Sequence, residues 1–252
     1  MIDSAVSGDS VVRYAMSKLM QAIVLLFLAS AAAAAQTTVY VSPDGSDSNP
    51  GTINLPYQTI AKAMSVATAG TTIYLRGGTY PLNTTLGAGI SGTAGNHINL
   101  WAYPGEKPIL DFSGESYASS SRGIELKRNY WYLKGLTIKN AGDNGVYISG
   151  ANNIVENCSV SYCKDTGIQI SDGGSYNYIH NCDAFDNNDP ATAGQNADGI
   201  DVKLAAGPGN VIRGCRVYDN SDDGYDCYGT ANRVVFDSCW AFHNGYNLWN
   251  IQ

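Results

Sequence analysis

One phrase recurs through the second half of the chain. It reads Arg122-Gly-Ile-Glu-Leu, Asn144-Gly-Val-Tyr-Ile, Thr166-Gly-Ile-Gln-Ile, Asp198-Gly-Ile-Asp-Val and Asp223-Gly-Tyr-Asp-Cys. The glycines at 123, 145, 167, 199 and 224 are 22, 22, 32 and 25 residues apart. Each phrase reads as a glycine turn followed by apolar/polar alternation of period two, the pattern of a half-buried strand. A second phrase follows in each unit: Val155-Glu-Asn-Cys158-Ser-Val, Ile179-His-Asn-Cys182-Asp-Ala, Ile212-Arg-Gly-Cys215-Arg-Val and Phe236-Asp-Ser-Cys239-Trp-Ala. An asparagine stands five residues after three of these cysteines, at 187, 220 and 244. A unit of about 22 residues is too small to bury a core alone, so the units must stack as coils of a parallel solenoid.

Stacking at the strand spacing of about 4.8 Å makes equivalent residues vertical neighbours. Cys158, Cys182, Cys215 and Cys239 are then expected in one buried column of free thiols, in preference to a disulfide framework. Asn187, Asn220 and Asn244 are expected in an amide ladder. The 32-residue step marks an inserted loop near Asn187–Ala197. Upstream, strands are expected over Thr37–Val41, Thr71–Arg76, Ile98–Ala102 and Ile109–Phe112, with a turn at Pro43–Gly51. Helical spacing over Gln58–Thr68 predicts a short helix capping the open end of the solenoid. Trp131 and Trp240 are read as core or turn packing, and His97, His180 and His243 as structural.

The 252 residues suffice for one sizeable core. Charged residues make up only 15% and the net charge is −7, which counts against a nucleic-acid partner. Residues 1–35 have the layout of an export signal. Met16-Ser-Lys18 is a basic start, and an alternative initiation point. Leu19–Ala29 is an apolar run too short for a membrane span, and Ala31–Ala35 are small. A secreted, extracellular mature chain from about Gln36 is expected, with 36–252 as one β-helix domain, no linker, no membrane attachment and a monomeric state.

The chemistry of the repeat lies in its carboxylates. Asp198 and Asp223 occupy the same place in consecutive coils, as do Asp201 and Asp226, and Asp222 adjoins Asp223. Alternation puts Ile200, Val202 and Leu204 inward with Asp201 and Lys203 outward. On the next coil it puts Tyr225 and Cys227 inward and Asp226 outward. Two carboxylates about 5 Å apart repel by roughly 3 kcal/mol at an effective dielectric near 20. A shared cation relieves that cost, and hard oxygen donors of this kind suit calcium.

The segments Asn187–Gly199, Lys203–Val211 and Asn220–Asp226 resemble the family 9 polysaccharide lyases, which are pectate lyases with a right-handed parallel β-helix. Tyr40-Val-Ser-Pro-Asp-Gly-Ser and Thr71–Tyr80 are similar to the N-terminal part of that family. The likeness runs from about residue 38 to 247. It implies an all-β, right-handed parallel β-helix and calcium-dependent β-elimination on polygalacturonate, the acidic polymer of pectin. The family's calcium ligands correspond here to Asp198, Asp222, Asp223 and Asp226. The family's base is a lysine on a later coil, and no lysine follows Lys203 in this sequence. The base is therefore assigned to no residue present. The chain reads as lacking its last C-terminal coils, with calcium binding expected to outlast catalysis. Lys203 is a lesser candidate for holding a substrate carboxylate, against the plainer role of pairing with Asp201 or Asp226. Two other classes stay open: a non-catalytic carbohydrate-binding or adhesion β-helix with structural calcium, and another β-helix enzyme acting on uronates or their esters.

Overall fold

The computed structural model describes residues 37–245, which belong to one compact unit, Thr37–Gln252. The expected export segment lies outside the described residues. The chain opens with β1 (Thr38–Val41) and the helix α1 (Ile60–Val66). It then winds in repeated sets of three strands. The first set is β2 (Thr72–Leu75), β3 (Gly78–Pro81) and β4 (Leu86–Gly87), and the second β5 (Ile98–Ala102), β6 (Pro108–Asp111) and β7 (Ile124–Leu126). Next come β8 (Trp131–Lys134), β9 (Thr137–Lys139) and β10 (Val146–Ile148), then β11 (Ile154–Glu156), β12 (Ser159–Ser161) and β13 (Ile168–Ile170). After these are β14 (Tyr178–His180), β15 (Asp183–Phe185) and β16 (Ile200–Val202), then β17 (Val211–Arg213), β18 (Arg216–Tyr218) and β19 (Tyr225–Asp226). The last described strands are β20 (Val235–Asp237) and β21 (Trp240–Phe242).

Each set gives one strand to each of three sheets, and every strand pair is parallel. The eight-stranded sheet runs β1-β2-β5-β8-β11-β14-β17-β20, the seven-stranded sheet β3-β6-β9-β12-β15-β18-β21, and the six-stranded sheet β4-β7-β10-β13-β16-β19. This is the parallel β-helix expected from the repeat. Register stacks like on like: Val146 pairs with Ile124 and Ile168, and Ile168 with Ile200. Their side chains and those of Leu126, Ile148, Ile170 and Val202 are fully buried. The core is thus a set of aliphatic columns along the axis.

The repeat glycines have a different reason from the one expected. None of the five adopts a left-handed backbone; they are glycine because the neighbouring coil comes too close. A Cβ on Gly123 would lie 2.4 Å from the carbonyl oxygen of Gly145, and one on Gly199 2.7 Å from that of Gly224. One row of left-handed residues sits where the chain turns from the eight-stranded to the seven-stranded sheet. Gly135, Asn157, Asn181, Gly214 and Ser238 have φ between 50° and 72°. Asn and Gly tolerate that geometry at least cost. Through such a corner the backbone ladder continues, with the Asn157 N–H donating to the His180 carbonyl at 3.0 Å.

The thiol column and the amide ladder are both present. All six cysteines are free; Cys158, Cys182 and Cys215 are buried, and the Cys182 N–H donates to Cys215 Sγ at 3.4 Å. The Asn187 amide donates to Asn220 Oδ1 at 2.8 Å, and the Asn220 amide to Asn244 Oδ1 at 2.9 Å. A second ladder went unread in the sequence. Asn153, Asn177 and Asn210 each precede a strand of the eight-stranded sheet, and each side-chain oxygen accepts a backbone N–H from the coil before. Phe185, Tyr218 and Phe242 likewise stack face to face, with centroids 4.8 and 5.0 Å apart.

The helix is shorter than its apolar spacing suggested. Thr59 caps it, accepting the Lys62 N–H on its hydroxyl at 3.2 Å, and Ala67 turns extended. It packs Ile60, Ala63 and Met64 inward beside β1 and β2. Residues 187–197 form the irregular loop predicted from the long repeat. Four expectations are corrected. Strands β10, β13 and β16 are buried on both faces, not one. β16 stops at Val202, and Leu204 turns outward in a left-handed conformation, 48% exposed. Cys227 is exposed, because β19 ends at Asp226. Trp131 is a core residue as read, whereas Trp240 is 69% exposed.

Candidate functional site

The outward positions of the six-stranded sheet form one column. Register aligns Glu125, Tyr147, Gln169, Asp201 and Asp226 on successive strands. At the early end Arg122 sits over Tyr147, its guanidinium carbon 3.3 Å from the ring centroid. It also pairs with Glu125 at 2.7 Å and Asp143 at 3.4 Å. The Asn144 amide donates to Gln169 at 2.8 Å, and Ser171 donates to the Tyr147 hydroxyl at 2.9 Å. These contacts cover the outer face of the sheet, which is why its middle strands are buried on both sides. Between them runs a polar cleft of about 320 Å³, reaching from Arg122 past Asp165 to Lys203.

At the later end the carboxylates gather. Asp198 leads the phrase before β16, and Asp222 and Asp223 occupy the matching turn before β19. One carboxylate oxygen from each lies within 4.8 Å of the others. Asp198 is 2% exposed. Its Oδ1 accepts the Asp223 N–H at 3.0 Å, so the lower coil orients the upper one. Asp222 Oδ2 accepts the Asn196 N–H at 2.6 Å, which ties the inserted loop to the cluster. Asp226 is not within that 4.8 Å set. Its Oδ1 accepts the Tyr228 N–H at 2.9 Å, and its Oδ2 lies 3.7 Å from Lys203 Nζ.

Lys203 is the hub of this region. Its Nζ is 2.8 Å from Asp198 and 2.9 Å from Asp201, so it pairs as the plainer reading expected, and with Asp198 besides. Three carboxylates, Asp198, Asp201 and Asp226, thus stand about one ammonium, and Asp222 and Asp223 adjoin Asp198. Burial, with the charges of Asp226 and Asp222, pushes the Asp198 carboxyl up to about 6 against the pull of Lys203. Burial and the same two neighbours' kind of repulsion, from Asp222 and Asp226, also raise Asp223. Asp201 rises well above the carboxylate range, chiefly because it is fully buried. Its Oδ2 accepts from Thr166 at 2.8 Å, but its Oδ1 is buried with no hydrogen-bond partner among the described residues. Under-neutralised hard oxygens with an orphan acceptor nearby fit a divalent, oxygen-seeking cation and not a thiol- or imidazole-seeking one.

A model of the Pel9A-like, right handed beta helix region matches residues 39–252. The chain belongs to that family. Pectate lyase L of Dickeya chrysanthemi is 39% identical over 220 residues, covering 84% of this chain and 52% of that protein. Pectate lyase L of Paenibacillus polymyxa is 41% identical over 238 residues, covering 86% and 53%. Among solved structures, pectate lyase Pel9A superposes with a TM-score of 0.79 at 38% identity, over 85% of this chain and 56% of that one. A rhamnogalacturonan lyase superposes with a TM-score of 0.76 at 29% identity, over 86% and 59%. The chain spans about half the length of the curated relatives it matches. No helix among the described residues is long and apolar enough to cross a membrane.

In this Pel9A-like β-helix, sequence reasoning found the carboxylates but missed what holds them. Thr166, in the repeat phrase one coil earlier, donates to Asp201 and lies against Asp198. Its position ahead of Gly167 was the available signal. Asn196 carried none, because it reaches Asp222 from an irregular loop.

Proposed function

We propose that this chain carries the calcium-binding and substrate-facing coils of a secreted pectate lyase that cleaves polygalacturonate by β-elimination. The observation that supports this most is the meeting of Asp198, Asp222 and Asp223 from two successive coils of a Pel9A-like helix. Asp226, one strand position on, would complete the ligand set. Once bound, calcium would bring positive charge against the uronate carboxylate and make the proton on the adjoining carbon more acidic. The chain's own contribution is geometric and electrostatic. Lys203 draws Asp198, Asp201 and Asp226 about one positive charge and offsets their mutual repulsion, and serves as a substrate contact only secondarily, since three carboxylates already face its ammonium. For the same reason it is a poor proton acceptor, and the base is assigned to none of these residues. The polar cleft from Arg122 to Lys203 offers the path along which the sugar chain would lie. Polygalacturonate is favoured over rhamnogalacturonan because the relatives named pectate lyases are the more similar in sequence.

Titration calorimetry with Ca2+ tests the site. One calcium is expected per wild-type chain, weakened at least about tenfold in Asp223→Ala, as for loss of one charged ligand. Equal affinity in the two proteins would sink the assignment. Unsaturated-product absorbance on polygalacturonate, with and without chelator, then tests the activity itself.

A further inference from the structure

The outer face of the eight-stranded sheet carries a second feature, separate from the carboxylates. Register sets Tyr40, Tyr74 and Trp101 side by side on β1, β2 and β5, and Trp101 beside Lys134 on β8. Tyr103 turns back over them. The Tyr74 and Tyr103 rings are 5.7 Å apart at 78°, Tyr74 and Trp101 6.1 Å at 65°, and Trp101 and Tyr132 5.2 Å at 81°. Tyr40 stacks on Tyr74, with centroids 5.7 Å apart at 23°, and the remaining rings meet edge to face. Here they line a hollow of about 390 Å³ with Tyr74, Trp101, Tyr103 and Lys134 in its wall. The contrast is the Phe185–Tyr218–Phe242 stack on the seven-stranded sheet, whose near-parallel rings cover one another.

Two observations point to a ligand. Trp101 Nε1 is buried without a hydrogen-bond partner among the described residues, which leaves an unmet donor on a residue of the hollow's wall. Two cations also border the rings. The Arg76 guanidinium carbon is 4.8 Å from the Tyr103 centroid, and Lys134 Nζ is 5.9 Å from those of Trp101 and Tyr132. Arg76 is held by Glu106 at 2.8 Å. Lys134 is 43% exposed and only loosely paired with Glu156 at 3.3 Å, so two of its three N–H donors remain for another anion. A pyranose offers a C–H face to an aromatic ring and hydroxyls to an N–H donor, and a uronate adds a carboxylate for the ammonium.

We propose that this hollow is a second, calcium-independent binding site for an acidic sugar chain. The choice of a polyuronate rests on the pectate reading above; the aromatic and donor geometry does not. A second contact on another sheet would keep the protein on its polymer between encounters at the carboxylate cluster, by raising the effective concentration.

The test is binding of oligogalacturonate in excess EDTA, which silences any cation-bridged contact. Wild type and Asp223→Ala are expected to bind alike. Tyr74→Ala and Trp101→Ala are expected to bind about tenfold more weakly, and Lys134→Gln about threefold, with a loss that grows at low salt. Lys134→Gln leaves the core untouched, so it decides the matter if Trp101→Ala melts early. The proposal fails if wild type does not bind in EDTA, if Tyr74→Ala and Lys134→Gln bind as wild type does, or if a neutral glucan competes equally. Calcium-dependent cleavage is scored separately. Cleavage without binding in EDTA sinks the hollow alone, and binding in EDTA without calcium affinity sinks the lyase site alone.

Discussion

Asp165 shows how a single side chain records the character of the cleft. It opens the turn before β13, and burial raises its carboxyl to about 6, with Asp143 and Asp189 adding to the rise while the Thr166 N–H and Lys203 oppose it. The direction of the pH effect follows. A carboxyl with a folded-state value above its unfolded one is harmless below about 4, becomes destabilising as it ionises, and carries its full penalty above about 6. Asp165→Asn keeps an oxygen for the Thr166 N–H and removes the charge. Its unfolding free energy should exceed that of wild type by on the order of 2 kcal/mol at pH 7.5 and match it near pH 4. Urea melts at the two pH values measure this; an equal difference at both would mean that the charge is not the cause.

At the scale of the element, the repeat is built on contacts between coils and not within them. The glycine ahead of each strand is the clearest case. A Cβ at Gly167 would sit 2.8 Å from the Gly199 carbonyl oxygen, 2.8 Å from Asn187 Nδ2 and 3.0 Å from the Ala184 methyl. Two of these belong to backbone or to the asparagine ladder, so neither can move freely. Gly167→Ala should therefore cost about 2–3 kcal/mol, as overpacking does, and lower the urea midpoint without changing the slope. A neutral effect would show that the coils tolerate wider spacing. Thr166, one residue earlier, ties that same strand to Asp201, so a displaced coil should weaken calcium binding as well.

Over the whole molecule, order runs along the axis. The aliphatic columns run from coil to coil, and the thiol column and the two amide ladders tie the later coils to one another, as expected of a solenoid whose stability is a sum over neighbours. Thiol titration reads this directly. Cys227 is exposed and should react at once; Cys239, partly covered, should react slowly; and all six should react only after denaturation, because none is in a disulfide. Fewer than six in denaturant would contradict the free column.

Period alone determined most of this architecture. A Gly-led alternation returning every 22 to 32 residues can bury its apolar side in few ways other than a stack of coils, and once coils stack, the alignment of Asp198 with Asp223 and of Asn187 with Asn220 and Asn244 follows from counting. Counting says nothing about distance through space or about what a side chain meets off its own strand. The tertiary structure alone decided that Lys203 stands among three carboxylates, that Asn196 reaches Asp222 from the inserted loop, that the repeat glycines answer a neighbouring carbonyl, and that Tyr74, Trp101 and Tyr103 meet edge to face. The physical reason is that a strand's period sets which side a residue faces, whereas burial, charge and the path of irregular loops set its company there.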